Sequence, residues 1–423
     1  MRPYERFLNY VMFDTMSLEG QTTVPSTPGQ RTLAEALVSE LRGFGIEDVR
    51  LDDKGYIYGS VPSNIEKEVP VIGFIAHVDT SDAHPSPSKA PRIIENYDGS
   101  QIELAPGVLL DSANDSNLQN AIGCDIIVTD GTTLLGGDDK AGVAEIITAL
   151  EYMAEHQDFK HGKIAFSFTP DEEIGTSQDN FDVPAFGADF AYTVDGADFG
   201  DIEYENFYGA SLTVDIKGVS THPGEAKDKM KNASLIAMEF DALLPPWERP
   251  EHTQDYEGFY HLMHISGDCG HCQMNYIIRE HDYEKYQQRK TMALQGAEIL
   301  NQRYGEGTVS AEVKDGYRNM AEMVRPHMHL IDFAKEAIAQ CGVTPRVPAI
   351  RGGTDGSELS YKGVPCPNLG TGSFNHHSLT EVANIDHMDQ CTEVILKSSA
   401  GMRNLKHKEA AYEITSSVVN ISC

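Results

Sequence analysis

The sequence predicts an α/β protein in which helices flank a β-sheet and a second, α+β domain is inserted into the chain. Three observations lead to this fold class. Apolar runs of strand length alternate with segments of helical spacing in the first half of the chain. Several of these runs end in acidic residues or histidine. From about Ala210 the pattern changes to alternating strands and longer helices.

The first part of the chain contains most segments of the predicted sheet. Residues 30–44 have apolar residues at helical spacing and therefore predict a helix. The continuous apolar run at 69–76 is typical of a strand buried on both faces. Residues 140–153 are rich in apolar residues and good helix formers, so they predict a central helix. The remaining predicted strands are 49–51, 56–59, 162–168 and 190–194.

The middle of the chain predicts the inserted domain. Residues 210–217 alternate between apolar and polar side chains, as a half-exposed strand does. Helices at 233–244 and 282–303 and strands at 273–279 and 308–314 complete a βαββαβ-like block. Helices at 326–340 and before Lys406 follow. We therefore predict one domain in two parts, residues 1–207 and 321–423, interrupted by an inserted domain at 208–320.

Composition and charge exclude several classes of function. The 423-residue chain has a formal net charge of −32, which argues against nucleic acid or an anionic membrane as a partner. The first residues lack the apolar core of a signal peptide, and no apolar run reaches membrane-span length. The seven scattered cysteines suit a reducing compartment, so we expect a cytoplasmic protein. The Cys269-Gly270-His271-Cys272 segment lacks a second ligand pair at zinc-finger spacing, and we interpret it as two ordinary thiols in a loop.

Polar side chains follow the apolar strands at their carboxyl ends, where functional groups collect in parallel sheets. These residues are His77, Asp79, Glu172, Glu173 and Asp195, and Asp138 and Asp139 stand beside them at the start of the central helix. Taken alone, an aspartate pair at a helix start is a capping pair, and a lone histidine after a strand is a structural or loop residue. So many converging carboxylates repel one another unless a cation compensates them. The set therefore predicts a metal site.

The ligand types indicate which metal this site would bind. Mixed imidazole and carboxylate ligands without a thiolate suit Zn²⁺, with Mn²⁺ or Co²⁺ as substitutes. Glu172 and Glu173 are adjacent on a loop and point in different directions, so one can bind metal while the other is available for proton transfer. Two metals about 3.5–4 Å apart would need one bridging carboxylate and a water between the ions.

Five motifs resemble, in order, those of the dinuclear zinc exopeptidase family. They are His77-x-Asp79, Gly137-Asp138-Asp139-Lys140-x-Gly142, Asp171-Glu172-Glu173-Ile174-Gly175, Val194-Asp195-Gly196 and His377-x-x-x-Glu381. Each motif is weak alone, but their order and spacing together are highly specific. The resemblance covers nearly the whole chain and, within the family, is closest to tripeptide aminopeptidases. It implies a mixed sheet flanked by helices as the catalytic domain, with the insert as a ferredoxin-like α+β lid domain.

The resemblance also implies two Zn²⁺ ions per chain and the residues that would hold them. His77 and Asp195 would bind one zinc, and Glu173 and His377 the other. Asp138 would bridge both ions, and the family has a cis peptide bond directly after this aspartate.

The same resemblance assigns roles to the neighbours of these ligands. Asp79 would hydrogen-bond the far ring nitrogen of the histidine two residues earlier, which fixes its tautomer and orientation. Glu172 would be the general base that takes a proton from the metal-bound water and passes it to the leaving amine. His376 and His377 are adjacent, and the spacing to Glu381 favours His377 as the ligand.

Four further residues resemble groups that contact the substrate in the family. His222 resembles the lid histidine that stabilises the tetrahedral oxyanion alongside zinc. Its alternative is a surface turn residue. Asn275, Arg279 and Arg351 resemble substrate-binding residues, and an arginine offers a bidentate fork for a peptide carboxylate. Either arginine could instead form a structural ion pair in so acidic a chain.

The predicted function is a cytoplasmic dizinc aminopeptidase that hydrolyses the N-terminal peptide bond of tripeptides by attack of a metal-bound hydroxide. Short peptides would be its partners, and the resemblance suggests a homodimer. The alternatives within the family are a dipeptidase, a carboxypeptidase or an N-acyl amino acid deacylase, which share every zinc ligand. A non-catalytic peptide-binding protein would have lost a ligand or the base, and all are present. A zinc-storage protein would bind metal without turnover.

Overall fold

The structure is a computed structural model that describes residues 1–196 and 198–401. The chain divides into two compact units. The first contains Met1–Tyr204, Glu322–Pro348 and the described residues from Leu359 onward, and the second contains Glu205–Ala321 and Ala349–Glu358. The sequence did not indicate that this last segment groups with the second unit. It does so because Ile350 forms a β-bridge with Asn206. The local sequence pattern does not predict this contact. The predicted boundaries at 207 and 320 stay a prediction.

The described residues form short strands and longer helices. The strands are β1 (Val49–Leu51), β2 (Ile57–Val61), β3 (Ile72–His77), β4 (Arg92–Ile94), β5 (Ile102–Ala105), β6 (Val108–Leu110), β7 (Ile126–Val128), β8 (Ile164–Thr169), β9 (Phe190–Gly196), β10 (Ile202–Glu203), β11 (Tyr208–Lys217), β12 (Phe259–Gly267), β13 (His271–Glu280), β14 (Val309–Asp315), β15 (Asn368–Gly370), β16 (Ser373–Phe374) and β17 (Val382–Asn384). The α-helices are α1 (Pro3–Tyr10), α2 (Pro28–Gly43), α3 (Ser116–Asn120), α4 (Gly137–Glu155), α5 (Val183–Phe186), α6 (Ala233–Leu243), α7 (Tyr283–Tyr304), α8 (Ala321–Val324), α9 (His329–Gln340), α10 (Asp355–Tyr361) and α11 (Ile385–Gly401). None of these described helices combines the length and apolarity needed to cross a membrane.

A seven-stranded mixed sheet forms the centre of the first unit, with strand order β1-β2-β8-β3-β9-β15-β10. β3 is parallel to β8 and β9, and β9 is parallel to β15. β1, β2 and β10 run antiparallel to their neighbours. Every residue of β3 and β8 is buried, as their continuous apolar runs predict. The mixed sheet confirms the predicted fold class, and it brings the carboxyl ends of β3, β8 and β9 to one edge.

Helix α4 packs between the central sheet and two other helices of the first unit. It packs against β3 and β9 on one side and against α1 and α11 on another. Most of its residues are buried, which explains why apolar residues occupy more than one stripe of its surface. Its N-terminus lies beside the carboxyl ends of the central strands, so the elements that carry the predicted site converge there.

A smaller antiparallel sheet with strand order β16-β17-β7-β4 also belongs to the first unit. Its core includes Tyr97, Leu118, Phe374 and Val382. Because β16 and β17 pair with each other, they bring together the two ends of the 375–381 loop. This loop carries the paired histidines and Glu381.

The second unit contains β11, α6, β12, β13, α7 and β14, which is the βαββαβ order of the predicted insert. Its sheet is antiparallel with order β12-β13-β11-β14, and both helices pack on it around a core that includes Leu212, Phe240 and Ile278. Strand β12 was missed from the sequence because it lies at the sheet edge and most of its residues are exposed. Cys272 lies on β13 and is buried, so it is not a loop thiol.

Candidate metal centre

The predicted site residues of the first unit lie at the ends of its central elements. His77 is the last residue of β3, and Asp195 lies within β9, one residue before its end. Glu172 and Glu173 follow β8, and Asp138 lies at the start of α4. Since parallel strands end at the same edge, residues from distant parts of the chain meet here.

Three of these side chains, one buried and two half-buried, form a group that we call the inner triad: His77, Asp138 and Asp195. Each offers a ligand atom, and these atoms lie within 4.8 Å of one another. His77 Nε2 is 2.9 Å from Asp138 Oδ1 and 3.5 Å from Asp195 Oδ1. One nitrogen and two carboxylate oxygens therefore face a common point.

A second group, the outer triad, consists of Asp138, Glu173 and His377, again with ligand atoms within 4.8 Å. His377 Nε2 is 3.2 Å from Asp138 Oδ2 and 2.9 Å from Glu173 Oε2. Asp138 belongs to both triads, and each of its oxygens faces a different histidine. This is the geometry that a carboxylate bridging two cations requires.

Asp79 contacts one residue of each triad. Its Oδ1 lies 3.3 Å from His77 Nδ1. The same carboxylate accepts the backbone N–H groups of Glu172 and Glu173, each at 3.1 Å. Asp79 therefore holds the loop that carries the adjacent glutamates, and its role in orienting the His77 imidazole stays a prediction.

The two adjacent aspartates have different tasks. Asp139 Oδ1 accepts the N–H of Gly142 at 3.2 Å, and Oδ2 accepts that of His77 at 3.2 Å. Because Asp138 and Asp139 both have non-helical dihedrals, the regular helix begins after Asp139, which acts as its N-cap. The capping interpretation therefore describes Asp139, whereas Asp138 faces the histidines. The peptide bond between them is cis, as the resemblance implies.

The two adjacent histidines also have different neighbours. His376 Nε2 is 2.8 Å from Ser373 Oγ, and its Nδ1 is 3.5 Å from Asp138 Oδ2. His377 has a positive φ of 58° and points its Nε2 between Asp138 and Glu173. The outer triad contains His377 and not its neighbour, and the choice of His377 as the metal ligand stays a prediction.

The excess of carboxylates perturbs the pKa values of the site. Burial lowers the pKa of His77, but the carboxylates of Asp195 and Asp138 outweigh it and raise this pKa well above its usual range. Asp138 and Glu173 raise the pKa of His377 to about 10. Burial also disfavours the Asp138 carboxylate, yet the surrounding imidazoles hold its pKa well below its usual range. Protons on the histidines thus offset negative charge where a cation would, and metal binding would release them.

These donors fit a divalent cation. The two triads together supply two imidazole nitrogens and three carboxylates without a thiolate, a set that suits Zn²⁺, Mn²⁺ or Co²⁺. The carboxylates come from separate elements and are too close together to remain uncompensated. Their convergence is explained by bound metal better than by any structural task in the sheet.

Comparison with known proteins gives the family. The profile of Peptidase family M20/M25/M40 matches residues 134–399. The chain belongs to this family. Peptidase T of Clostridium perfringens (strain SM101) is 49% identical over 393 residues, which cover 93% of this chain and 97% of that protein. Peptidase T of Halothermothrix orenii is 48% identical over 395 residues, with the same coverage of 93% and 97%.

Solved structures of this fold agree with the family. The aminopeptidase PepT from Bacillus cereus has a TM-score of 0.76 at 22% identity, covering 95% of this chain and 98% of that one. A tripeptidase from Staphylococcus aureus has a TM-score of 0.76 at 21% identity, covering 96% and 98%. The family confirms the predicted resemblance, and this M20 chain is a metallo-exopeptidase that depends on a divalent metal.

Three predicted substrate residues of this M20 peptidase lie in the second unit, two of them on β13. His222 is exposed, and its Nδ1 accepts the N–H of Gly224 at 3.2 Å. Asn275 Oδ1 is buried without a hydrogen-bond partner in the described chain. The Arg279 guanidinium lies 4.9 Å from the centre of the Tyr317 ring. Their proposed roles stay predictions.

Arg351 has a different environment from the ion pair that the sequence left open. Its guanidinium donates to the backbone carbonyls of Asp255 at 2.7 Å and Glu257 at 3.1 Å, and to Thr253 Oγ1 at 3.0 Å. The ring of Phe207 lies 5.2 Å away. These contacts hold the 253–257 loop, and a substrate-binding role stays a prediction.

Two further charged residues of the motifs, Lys140 and Glu381, are buried beside the site. Lys140 is buried, and burial lowers its pKa to about 8 against the charges of Asp79 and Glu381. A lysine in the first helical turn opposes the helix dipole, and this anomaly is a signal that sequence reasoning could have used. Glu381 is also buried.

Proposed function

We propose that the protein is a dizinc aminopeptidase that removes the N-terminal residue of tripeptides. The observation that carries the proposal is the sharing of Asp138 between the two triads, one oxygen to each. The curated relatives named Peptidase T, which match nearly their whole length, support the peptide substrate. The motif resemblance to tripeptide aminopeptidases supports the choice of tripeptides.

In this proposal His77 and Asp195 would hold one Zn²⁺, Glu173 and His377 would hold the other, and Asp138 would be shared between them. Mn²⁺ or Co²⁺ could replace zinc with the same donors. When bound, the ions would polarise the carbonyl of the scissile peptide bond and lower the pKa of water. The nitrogen and oxygen donors of the two triads suit this Lewis-acid chemistry.

The protein itself would supply proton transfer and orientation. Glu172 accepts the proton of the attacking water and passes it to the leaving amine. Its backbone N–H donates to Asp79 Oδ1 at 3.1 Å, so the base and the buried orienting carboxylate are linked. His222 would stabilise the oxyanion, and Asn275, Arg279 and Arg351 would bind the peptide.

The cell compartment and the oligomeric state are further parts of the proposal. The six cysteines of the described chain are free, which supports a reducing compartment such as the cytoplasm. A homodimer is proposed from the motif resemblance alone.

The decisive experiment compares hydrolysis of Ala-Ala-Ala by the zinc-loaded wild type and by Glu172→Gln, with bound zinc counted in both. We expect the wild type to release free alanine and Ala-Ala. The variant should keep about two zincs per chain while kcat falls by about 10²–10⁴-fold, the usual contribution of a general base. N-acetyl-Ala-Ala-Ala is the control substrate, because an aminopeptidase needs a free amino terminus.

The alternatives give different results in the same assay. Cleavage of Ala-Ala or of N-acetylalanine in preference to the tripeptide would indicate a dipeptidase or a deacylase. Release of the C-terminal alanine from the acetylated tripeptide would indicate a carboxypeptidase. Full zinc occupancy without turnover of any substrate would indicate a peptide-binding or zinc-storage protein.

A further inference from the structure

Glu381 lies on the loop between β16 and β17, four residues after His377, and is only 2% exposed. Its carboxylate accepts three backbone N–H groups from the turn that leads into α4. Oε2 accepts those of Leu135 at 2.9 Å and Gly136 at 2.8 Å, and Oε1 accepts that of Asp138 at 3.1 Å. One buried side chain therefore satisfies the donors of a segment about 245 positions earlier in the sequence.

These N–H groups need an acceptor from elsewhere in the protein. Buried backbone donors are almost always hydrogen-bonded. Gly136 precedes the helix and has no side chain to act as a cap, and Asp139 already caps the regular helix through Gly142. Aspartate side chains in turns accept N–H groups of residues that follow them, whereas Leu135 and Gly136 precede Asp138, so the acceptor of these two donors comes from elsewhere.

Glu381 is this acceptor, and the Asp138 carboxylate has other partners. Both oxygens of Asp138 face histidines, with Oδ1 at 2.9 Å from His77 Nε2 and Oδ2 at 3.2 Å from His377 Nε2. An anion at the N-terminus of α4 is also favoured by the helix dipole. Glu381 thus satisfies the donors of this turn, while the Asp138 carboxylate is directed at the histidines.

The close approach of the turn before α4 to the β16–β17 loop supports this interpretation. A Cβ added at Gly137 would lie 3.0 Å from Glu381 Oε1 and 2.9 Å from Ser373 Cβ. A glycine at position 137 therefore lets the turn approach the β16–β17 loop. That loop also carries His377, so Glu381 joins the segment of Asp138 to the segment of the outer histidine.

We propose that Glu381 is a positioning residue that keeps the Asp138 carboxylate directed at both triads by holding the backbone of the turn before α4. The inference rests on the proposed function, in which Asp138 bridges two metals. It assigns Glu381 no contact with metal or substrate.

The test measures zinc affinity in wild type, Glu381→Gln and a matched control, Glu145→Gln. The amide of Glu381→Gln keeps the size of the side chain but turns an NH₂ group toward N–H donors. Glu145 is equally buried and lies on α4, but neither of its carboxylate oxygens has a hydrogen-bond partner in the described part of the chain. Competition with a chromophoric chelator gives the zinc affinity, and circular dichroism of the metal-free proteins verifies folding.

We expect Glu381→Gln to lose about 10–100-fold in zinc affinity, as outer residues that orient ligands do, while Glu145→Gln binds zinc like the wild type. With saturating zinc, kcat should recover in part and KM should change little. Glu381→Asp keeps the charge on a shorter side chain and should lose less affinity than the amide. If Glu381→Gln does not fold, Glu381→Asp decides by the same measure.

The outcomes separate the two levels of the proposal. If the wild type binds no zinc, the proposed function fails. If the wild type binds zinc and Glu381→Gln, or Glu381→Asp where the amide does not fold, binds it equally well, the positioning role of Glu381 is overturned while the metal centre stands. Equal losses in Glu381→Gln and Glu145→Gln would also overturn it, because burial of a carboxylate rather than capping would then explain the effect.

Discussion

The inner and outer triads share Asp138 but are built in different ways. The inner triad takes His77 and Asp195 from the central strands β3 and β9, and the His77 side chain is 2% exposed. The outer triad takes Glu173 and His377 from loops, and the His377 side chain is 47% exposed. In the proposed dizinc centre, the two ligands that belong to the inner triad alone therefore lie on strands of the sheet. The two that belong to the outer triad alone lie on loops.

This difference concerns how firmly each ligand is held. His77 is fixed by its strand, by the neighbouring Asp79 carboxylate and by its backbone N–H bond to Asp139. His377 has a positive φ and an exposed ring. The Nε2 atom of this ring contacts the carboxylates of the other two members of the outer triad. Sites built on regular elements hold their geometry better than sites on loops. We therefore expect the inner metal to bind more tightly and exchange more slowly than the outer metal.

The largest expected effect comes from removing the carboxylate that the inner and outer triads share. Asp138→Ala removes the carboxylate that the triads share, so both metals should be lost and tripeptide hydrolysis should fall by about 10⁴-fold, as for residues that act as one catalytic unit. Zinc per chain by atomic emission and hydrolysis of Ala-Ala-Ala measure the two effects. A variant that keeps two zincs and most of its activity would exclude Asp138 as the bridging ligand.

The same contrast explains which parts of the molecule the sequence could predict. The inner triad follows from local pattern, since buried apolar runs end in His77 and beside Asp195 and parallel strands end at one edge. Glu173 follows the same rule after β8. His377 needed the family resemblance, because nothing in its flanking sequence marks a loop that returns to the sheet edge.

Features that depend on distant contacts were missed. Strand β15 has only three residues, yet it lies between β9 and β10 in the main sheet, and such a short run has no readable period. Arg351 donates to carbonyls such as that of Asp255, which lies 96 positions earlier in the sequence. The capping of the α4 turn by Glu381 joins residues separated by 245 positions and has no local signature.

Metal removal tests the contrast directly in the wild type. During incubation with excess chelator, we expect zinc to leave in two phases, with the outer ion released about 10–100-fold faster, the range that supporting residues confer on metal sites. His377→Ala should show only the slow phase and His77→Ala should lose it. Release in one phase from the fully loaded wild type would show that the two triads do not differ in strength.

The smallest effect is expected from removing the support that distinguishes the two triads. Asp79→Asn keeps the size of the side chain but removes the charge 3.3 Å from His77 Nδ1 and turns one amide hydrogen toward a backbone N–H. The imidazole becomes a weaker and less firmly oriented ligand, so inner-zinc affinity should fall by about tenfold and the two release phases should approach each other. Asp115→Asn is the control. Asp115 Oδ2 accepts a hydrogen bond from Asn375, which lies on the 375–381 loop that carries His377, and this contact does not involve the inner triad. It should leave the slow phase unchanged. If Asp115→Asn speeds the slow phase as much as Asp79→Asn does, then the inner triad owes its strength to the fold as a whole, and the orienting role of Asp79 falls.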